Sequence, residues 1–151
     1  MTHPTTPAWE DQAAIDTMLD DMETWAVVGL SGDPWRTAYS IAQELQRHGK
    51  RVVPIHPSGD GALEVLGEKV YPTLAAAAQA VGPIDVVDVF RRSEAAGEFA
   101  DQAVEIGAQG VWFQMGVVDH AAYERTRAAG LLMVMDVCPS KEWFYRAQRQ
   151  A

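Results

Sequence analysis

The residues in this chain that could do chemistry gather at the ends of short apolar runs. Gly29-Leu30-Ser31-Gly32-Asp33-Pro34-Trp35-Arg36 closes the run that starts at Trp25 and leads into a helical pattern. A glycine turn between a strand and a helix leaves backbone N–H groups free, and the helix start adds a partial positive charge; both favour phosphate. The Ser31 and Thr37 hydroxyls and the Arg36 guanidinium can add to these donors. Pro34 suits a first helical turn, where its missing N–H leaves nothing unpaired. The turn is neither GxGxxG, since Ser31 and Pro34 stand where glycines would, nor a P-loop, since no GK[ST] follows. An ordinary tight turn is the plainer alternative.

Three further run ends carry polar groups. Ile55-His56-Pro57-Ser58 has no acid before Asp60. A dinucleotide site of the NAD type carries Asp or Glu there to accept ribose hydroxyls, so the sequence disfavours NAD. His56 can contact an adenosine or a phosphate, or simply cap the strand end. Val89-Phe90-Arg91-Arg92 puts two arginines at a strand end, and guanidinium suits phosphate. Val111-Trp112-Phe113-Gln114-Met115-Gly116 offers a carboxamide and a glycine that permits close backbone approach. Asp85 and Asp88 are expected to pair with neighbours, and Cys138 to be a small buried hydrophobe. No GxSxG, HExxH or CxxC pattern occurs, and no metal site is expected.

A doubly wound sheet would position these ends. Ile15, Met18, Leu19 and Met22 follow helical spacing within Trp9 to Met22, leaving an acidic outer face. Strands are expected at Trp25 to Leu30, Arg51 to His56, Ile84 to Phe90, Gly110 to Phe113 and Leu131 to Met135. Pro54 marks the second as an edge or irregular strand. Helices are expected from Ala38 to His48, ended by Gly49, and from Leu74 to Val81, capped by Thr73. Three more are expected: Ser93 to Ile106 with Ser93 as cap, a helix to Ala129 capped by Asp119, and Glu142 to Arg149. Pro57 to Gly67 reads as loop. Apolar strands alternating with helices predict an α/β, Rossmann-like, three-layer parallel sheet of about five strands in one domain. Residues 1–23 form a tail and amphipathic helix, and residues 24–151 the sheet domain.

Composition narrows the partners. The chain has 151 residues, 48% apolar, with a net charge of −9. Seven acids and no Lys or Arg fall in residues 1–35, whereas residues 36–151 hold 14 acids and 12 bases. This disfavours nucleic acid and anionic membrane as partners. No run approaches the roughly 18 apolar residues of a membrane span. The first residues lack the basic and apolar regions of a signal peptide, and the lone Cys138 fits a reducing compartment. A cytoplasmic protein is expected, and a small exposed sheet edge is compatible with a homodimer.

Taken together, VVGLSGDPWRTAY, VVPIHP, VDVFRR, GVWFQMGV and AAGLLMVMDVC, in that order, resemble the stand-alone bacterial and archaeal CoA-binding proteins. These are similar to the N-terminal CoA-binding domain of the succinyl-CoA synthetase alpha subunit. The resemblance spans Thr24 to Cys138. It implies a Rossmann-like fold holding coenzyme A, or an acyl-CoA, at the strand C-terminal ends. Gly29, Leu30, Ser31 and Gly32 would lie against the CoA phosphates, with Arg36 in the next turn. His56-Pro57 matches the usual Asn-Pro of the family, and Ser58 replaces a common Lys. Val89, Phe90 and Arg91 match the segment near adenosine, and Phe113, Gln114 and Gly116 the segment on the pantetheine side. The synthetase's phosphohistidine belongs to a second domain, which would begin where this chain ends, so the resemblance implies binding and supplies no catalytic residue. Two other readings stay open: a small NAD(P)-dependent or acyl-CoA enzyme using His56 as acid or base, and a regulatory module docking on a ligase through Trp9 to Met22.

Overall fold

The structure, a computed structural model, describes residues 6–150. A short 3-10 turn, Ala8–Glu10, precedes helix α1, Gln12–Asp21. Strand β1, Thr24–Val28, leads through the glycine turn to α2, Thr37–Arg47, and β2, Arg51–Ile55. A hairpin of β3, Glu64–Val65, and β4, Glu68–Lys69, comes before α3, Leu74–Val81. Then follow β5, Val86–Val89; α4, Ser93–Glu105; and β6, Gly110–Phe113. The chain continues through α5, His120–Ala128; β7, Leu132–Val134; and α6, Pro139–Gln150.

The main sheet is parallel with strand order β2-β1-β5-β6-β7. From β1 the chain first moves one way to β2, then crosses back to β5 and continues the other way. Right-handed crossovers therefore send α2 to one face and α3, α4 and α5 to the other. Side-chain alternation makes two cores. Trp25, Val27, Val52, Val86, Trp112 and Val134 pack with α1 and α2. Ala26, Val28, Val53, Val87, Val111, Phe113 and Met133 pack with α3, α4 and α5. The strands are apolar on both faces because both faces are covered.

Most expected elements are present, with corrections, one of them that α6 begins at Pro139 rather than at Glu142. Trp9 lies in the 3-10 turn rather than in α1, whose cap is Asp11, accepting from the Ala14 N–H at 3.0 Å. Leu66 and Gly67, both at positive φ (54° and 79°), turn the β3–β4 hairpin inside the stretch expected to be loop; such two-residue turns match the strand twist. Ser93 is the first residue of α4 rather than its cap; its hydroxyl accepts from the Val118 N–H at 3.0 Å and donates to the Gly116 carbonyl at 3.4 Å. Thr73 and Asp119 do cap α3 and α5, accepting from the N–H groups of Ala76 and Ala122. Pro54 lies on the outer strand β2, whose other side carries an isolated bridge from Ile55 to Tyr71. Asp85 sits at the opposite end of the sheet from the glycine turn, accepting from the N–H groups of Glu23 and Thr24 at 3.0 Å. None of the helices among the described residues is long and apolar enough to cross a membrane.

Candidate functional site

The chain reverses its direction of travel between β1 and β5, so the crevice beyond the carboxyl ends of these two strands is the topological switch point of the sheet. Gly29 and Phe90 form its crest. The Gly29 N–H donates to the Ile55 carbonyl at 2.9 Å, and the Phe90 N–H to the Val28 carbonyl at 3.0 Å. Gly29 has φ +97°, and a Cβ there would lie 2.8 Å from the Phe90 carbonyl oxygen. Both the dihedral and the space exclude a side chain.

The turn beyond Gly29 holds itself together. The Asp33 N–H donates to the Ser31 hydroxyl at 3.4 Å, and the Asp33 carboxylate accepts from the Trp35 N–H at 3.0 Å. Helices α2 and α4, which leave the two crest strands, start alike. Their caps are Arg36 and Arg92, and neither makes a side-chain capping bond, whereas α1, α3 and α5 are all capped by side chains. The first N–H groups of a helix have no partner within it. At α2 and α4 a guanidinium stands at the helix start, Arg36 lying 3.9 Å from the Asp33 carboxylate and Arg92 3.5 Å from that of Glu94; helix starts and guanidinium groups both suit an anion.

Two clefts flank the crest, one on each face of the sheet. The larger, about 500 Å³, is lined by Gly29, Phe90, Gln114, Met115 and Val117 and by the starts of α2 (Arg36, Thr37, Ala38) and α6 (Cys138, Lys141). The smaller, about 200 Å³, lies against α3 and α4, among Pro57, Pro72, Thr73, Arg91, Phe99 and Gln102. Gly29 lines both.

Of the residues expected at a site, Gly29, Arg36, Thr37, Phe90 and Gln114 thus meet at the larger cleft, and Pro57 and Arg91 at the smaller. Ser31 is half-buried and Gly32 exposed in the turn between β1 and α2. The side chains of Leu30, Val89 and Phe113, expected at the site, are instead fully buried in the cores and line neither cleft. His56 turns to its own loop, its Nδ1 lying 2.6 Å from the Ser58 hydroxyl and accepting from the Ser58 N–H at 3.1 Å. Gly116 is exposed, and its N–H donates to the Asp136 carboxylate at 2.6 Å. Sequence reasoning missed Met115 and Lys141, whose ammonium lies 3.3 Å from the Met115 sulfur. Cys138, expected to be buried, is half-buried on the cleft wall. Pro139, a residue favoured at the first position of a helix, was the available sign that α6 begins early enough to bring Lys141 to the site.

Beneath the larger cleft lies a buried acid. Asp88 is fully buried, with Val27 and Trp112 as its register neighbours on the flanking strands. One carboxyl oxygen accepts from the Gln114 side-chain nitrogen, and the other has no partner among the described residues. Burial pushes the Asp88 carboxyl up to about 8, and only the hydrogen bond from Gln114 pulls the other way.

Chemically the arrangement is built to hold a ligand. It offers an apolar floor, three cations at its rims and two carboxamides, Gln114 in the larger cleft and Gln102 in the smaller, where Glu98 adds one carboxylate. Among the described residues no imidazole lines either cleft. His56 is tied to Ser58, His48 stacks on Trp143 at 3.7 Å, and His120 meets the Trp9 ring edge at 4.6 Å.

A family model described as a CoA binding domain matches residues 23–143. The uncharacterized protein YneT of Bacillus subtilis is 36% identical over 127 residues, covering 84% of this chain and 90% of that protein. A hypothetical protein from Pyrococcus horikoshii superposes with a TM-score of 0.81 at 32% identity, over 93% of this chain and 96% of the other. A Thermus thermophilus protein does so with a TM-score of 0.77 at 27% identity, over 87% and 98%.

Proposed function

We propose that this chain, which belongs to the CoA-binding domain family, binds coenzyme A across the Gly29 crest. The observation that carries the reading is the pair of clefts, about 200 and 500 Å³, on opposite faces of the sheet with Gly29 common to both. Coenzyme A has a matching form: a phosphorylated adenosine and a long pantetheine arm joined by a pyrophosphate. The adenosine takes the smaller cleft beside Pro57, Pro72 and Phe99, with Arg91 at its rim. The pyrophosphate lies over Gly29, Ser31 and Gly32 at the start of α2, facing Arg36 and Thr37. The arm runs through the larger cleft past Phe90 toward Gln114, where the thiol or an acyl group ends near Cys138 and Lys141.

The NAD reading loses support at the end of β2. The nearest carboxylate there, Asp60, is taken up by its own loop, accepting from the N–H groups of Ala62 and Leu63 at 2.9 Å. Docking through α1 has little apolar surface to use, because Ala14, Ile15, Met18 and Leu19 are buried in the chain's own core. The proposal assigns no catalytic residue.

Titration calorimetry with coenzyme A, dephospho-CoA, acetyl-CoA, NAD and ATP tests it. Coenzyme A is expected to bind tighter than about 1 mM, a free energy of about 4 kcal/mol, and tighter than NAD. Equal or tighter binding of NAD overturns the reading.

A further inference from the structure

The carboxamide on the wall of the larger cleft is not free to choose its orientation. Gln114 is 6% exposed, and its nitrogen donates to a carboxylate oxygen of Asp88, which lies one layer deeper on the same face of the sheet. Asp88 is 0% exposed and its second oxygen is unpartnered among the described residues. A buried acid between Val27 and Trp112 with a single partner is an expensive arrangement for packing alone, and its one bond goes to a side chain that lines the cleft. A primary amide has two chemically opposite ends, two N–H donors on nitrogen and two acceptor sites on oxygen. Fixing the nitrogen on Asp88, whose C=O oxygen still accepts in the neutral acid, takes donor capacity away from the cleft and leaves the Gln114 carbonyl oxygen unclaimed.

We infer that Asp88 is a positioning residue that holds the Gln114 nitrogen inward, so that the carbonyl oxygen is the group offered to the ligand, selecting an arm that donates an N–H at that point. This deepens the coenzyme A reading and rests on it. The pantetheine arm carries two secondary amides, and each N–H is a donor of the required kind. A phosphate or carboxylate at that point would meet an acceptor and be refused. Lys141 and Cys138 lie on the same cleft wall, but neither bonds to the Gln114 carboxamide among the described residues, so Asp88 alone sets its orientation.

The test compares two probes in one cuvette series: coenzyme A, and adenosine 3′-phosphate 5′-diphosphate, which is the same molecule without its arm. Asp88→Leu is expected to weaken coenzyme A by about tenfold, the scale of one hydrogen bond lost, while leaving the armless probe unchanged. Gln114→Met is expected to give a similar loss, and Asp88→Leu to add nothing further in that background. Asp88→Asn keeps a carbonyl to accept from the Gln114 nitrogen and is expected to restore affinity to within about threefold. Equal weakening of both probes by Asp88→Leu would show a packing role and overturn the inference, as would an unchanged coenzyme A affinity. If wild-type protein binds neither probe, the coenzyme A reading itself falls. If it binds both equally, the arm does not reach Gln114, and the inference falls while adenosine recognition stands.

Discussion

Gly29 meets two demands at once: a backbone dihedral of +97° and contact with the Phe90 carbonyl that leaves no room for a Cβ. Gly29→Ala is therefore expected to lower stability by roughly 1–3 kcal/mol, the range for a strained left-handed position with a clash. Urea unfolding measures this, and coenzyme A affinity should fall in the same variant because the crest must shift. Asp88 makes a different prediction. Its carboxyl sits at about 8 in the folded chain against about 3.9 when unfolded, so the folded state binds the proton more tightly. The stability it contributes is complete below the unfolded value and is lost as pH rises toward the folded one. Between those limits wild type should lose up to about 1.4 kcal/mol per pH unit relative to Asp88→Asn. Urea midpoints of the two proteins from pH 5 to 8.5 check the slope, and parallel curves would refute it.

Helix α6 carries one wall of the larger cleft. It is clasped at three points. Trp143 stacks flat on His48 of the α2 cap, 3.7 Å apart and 5° from parallel. Arg146 bridges Asp16 and Asp20 of α1, and Gln12 donates to Glu142 at 3.3 Å. The Arg146 hydrogen bond holds the Asp16 carboxyl below its usual range, so this clasp weakens as pH falls into the carboxylate range. Since the two carboxylates are largely solvated, the stack should matter more than the ion pairs. Trp143→Ala is expected to lower global stability by about 1–2 kcal/mol and to speed hydrogen exchange in α6 ahead of β1 and β5. Amide exchange read by mass spectrometry checks this; uniform acceleration over the whole chain would count against it. The start of α6 was also the element least legible in the sequence. Its polar first turn, Ser140-Lys141-Glu142, has no apolar periodicity, so spacing alone placed the helix three residues late. The β3–β4 hairpin escaped for a related reason: strands of two residues are too short for alternation to register.

Across the whole molecule the five parallel strands and their order of appearance are readable, because buried parallel strands are written as unbroken apolar runs. Strand order in space was not. Nothing local in Ile84 to Phe90 says that this segment crosses back over β1 to lie on its far side from β2; that follows from packing of the helices on both faces. The residue types at the site were equally visible, since glycine, arginine and carboxamide at strand ends carry chemistry in their identity. Their division between two faces was hidden, as was the tie between Asp88 and Gln114, which needs two strands to be neighbours first.

That division has a mechanical consequence. A molecule seated in both clefts would straddle the upper rim of the sheet like a saddle strap, touching α2 and α6 on one side and α3 and α4 on the other. Each half alone would be a weak tenant. Joined by a short pyrophosphate, the second half arrives at high effective concentration once the first is seated. Such a strap would also tie together helical layers on opposite faces of the sheet, so that occupancy on one face would quieten the breathing of the other.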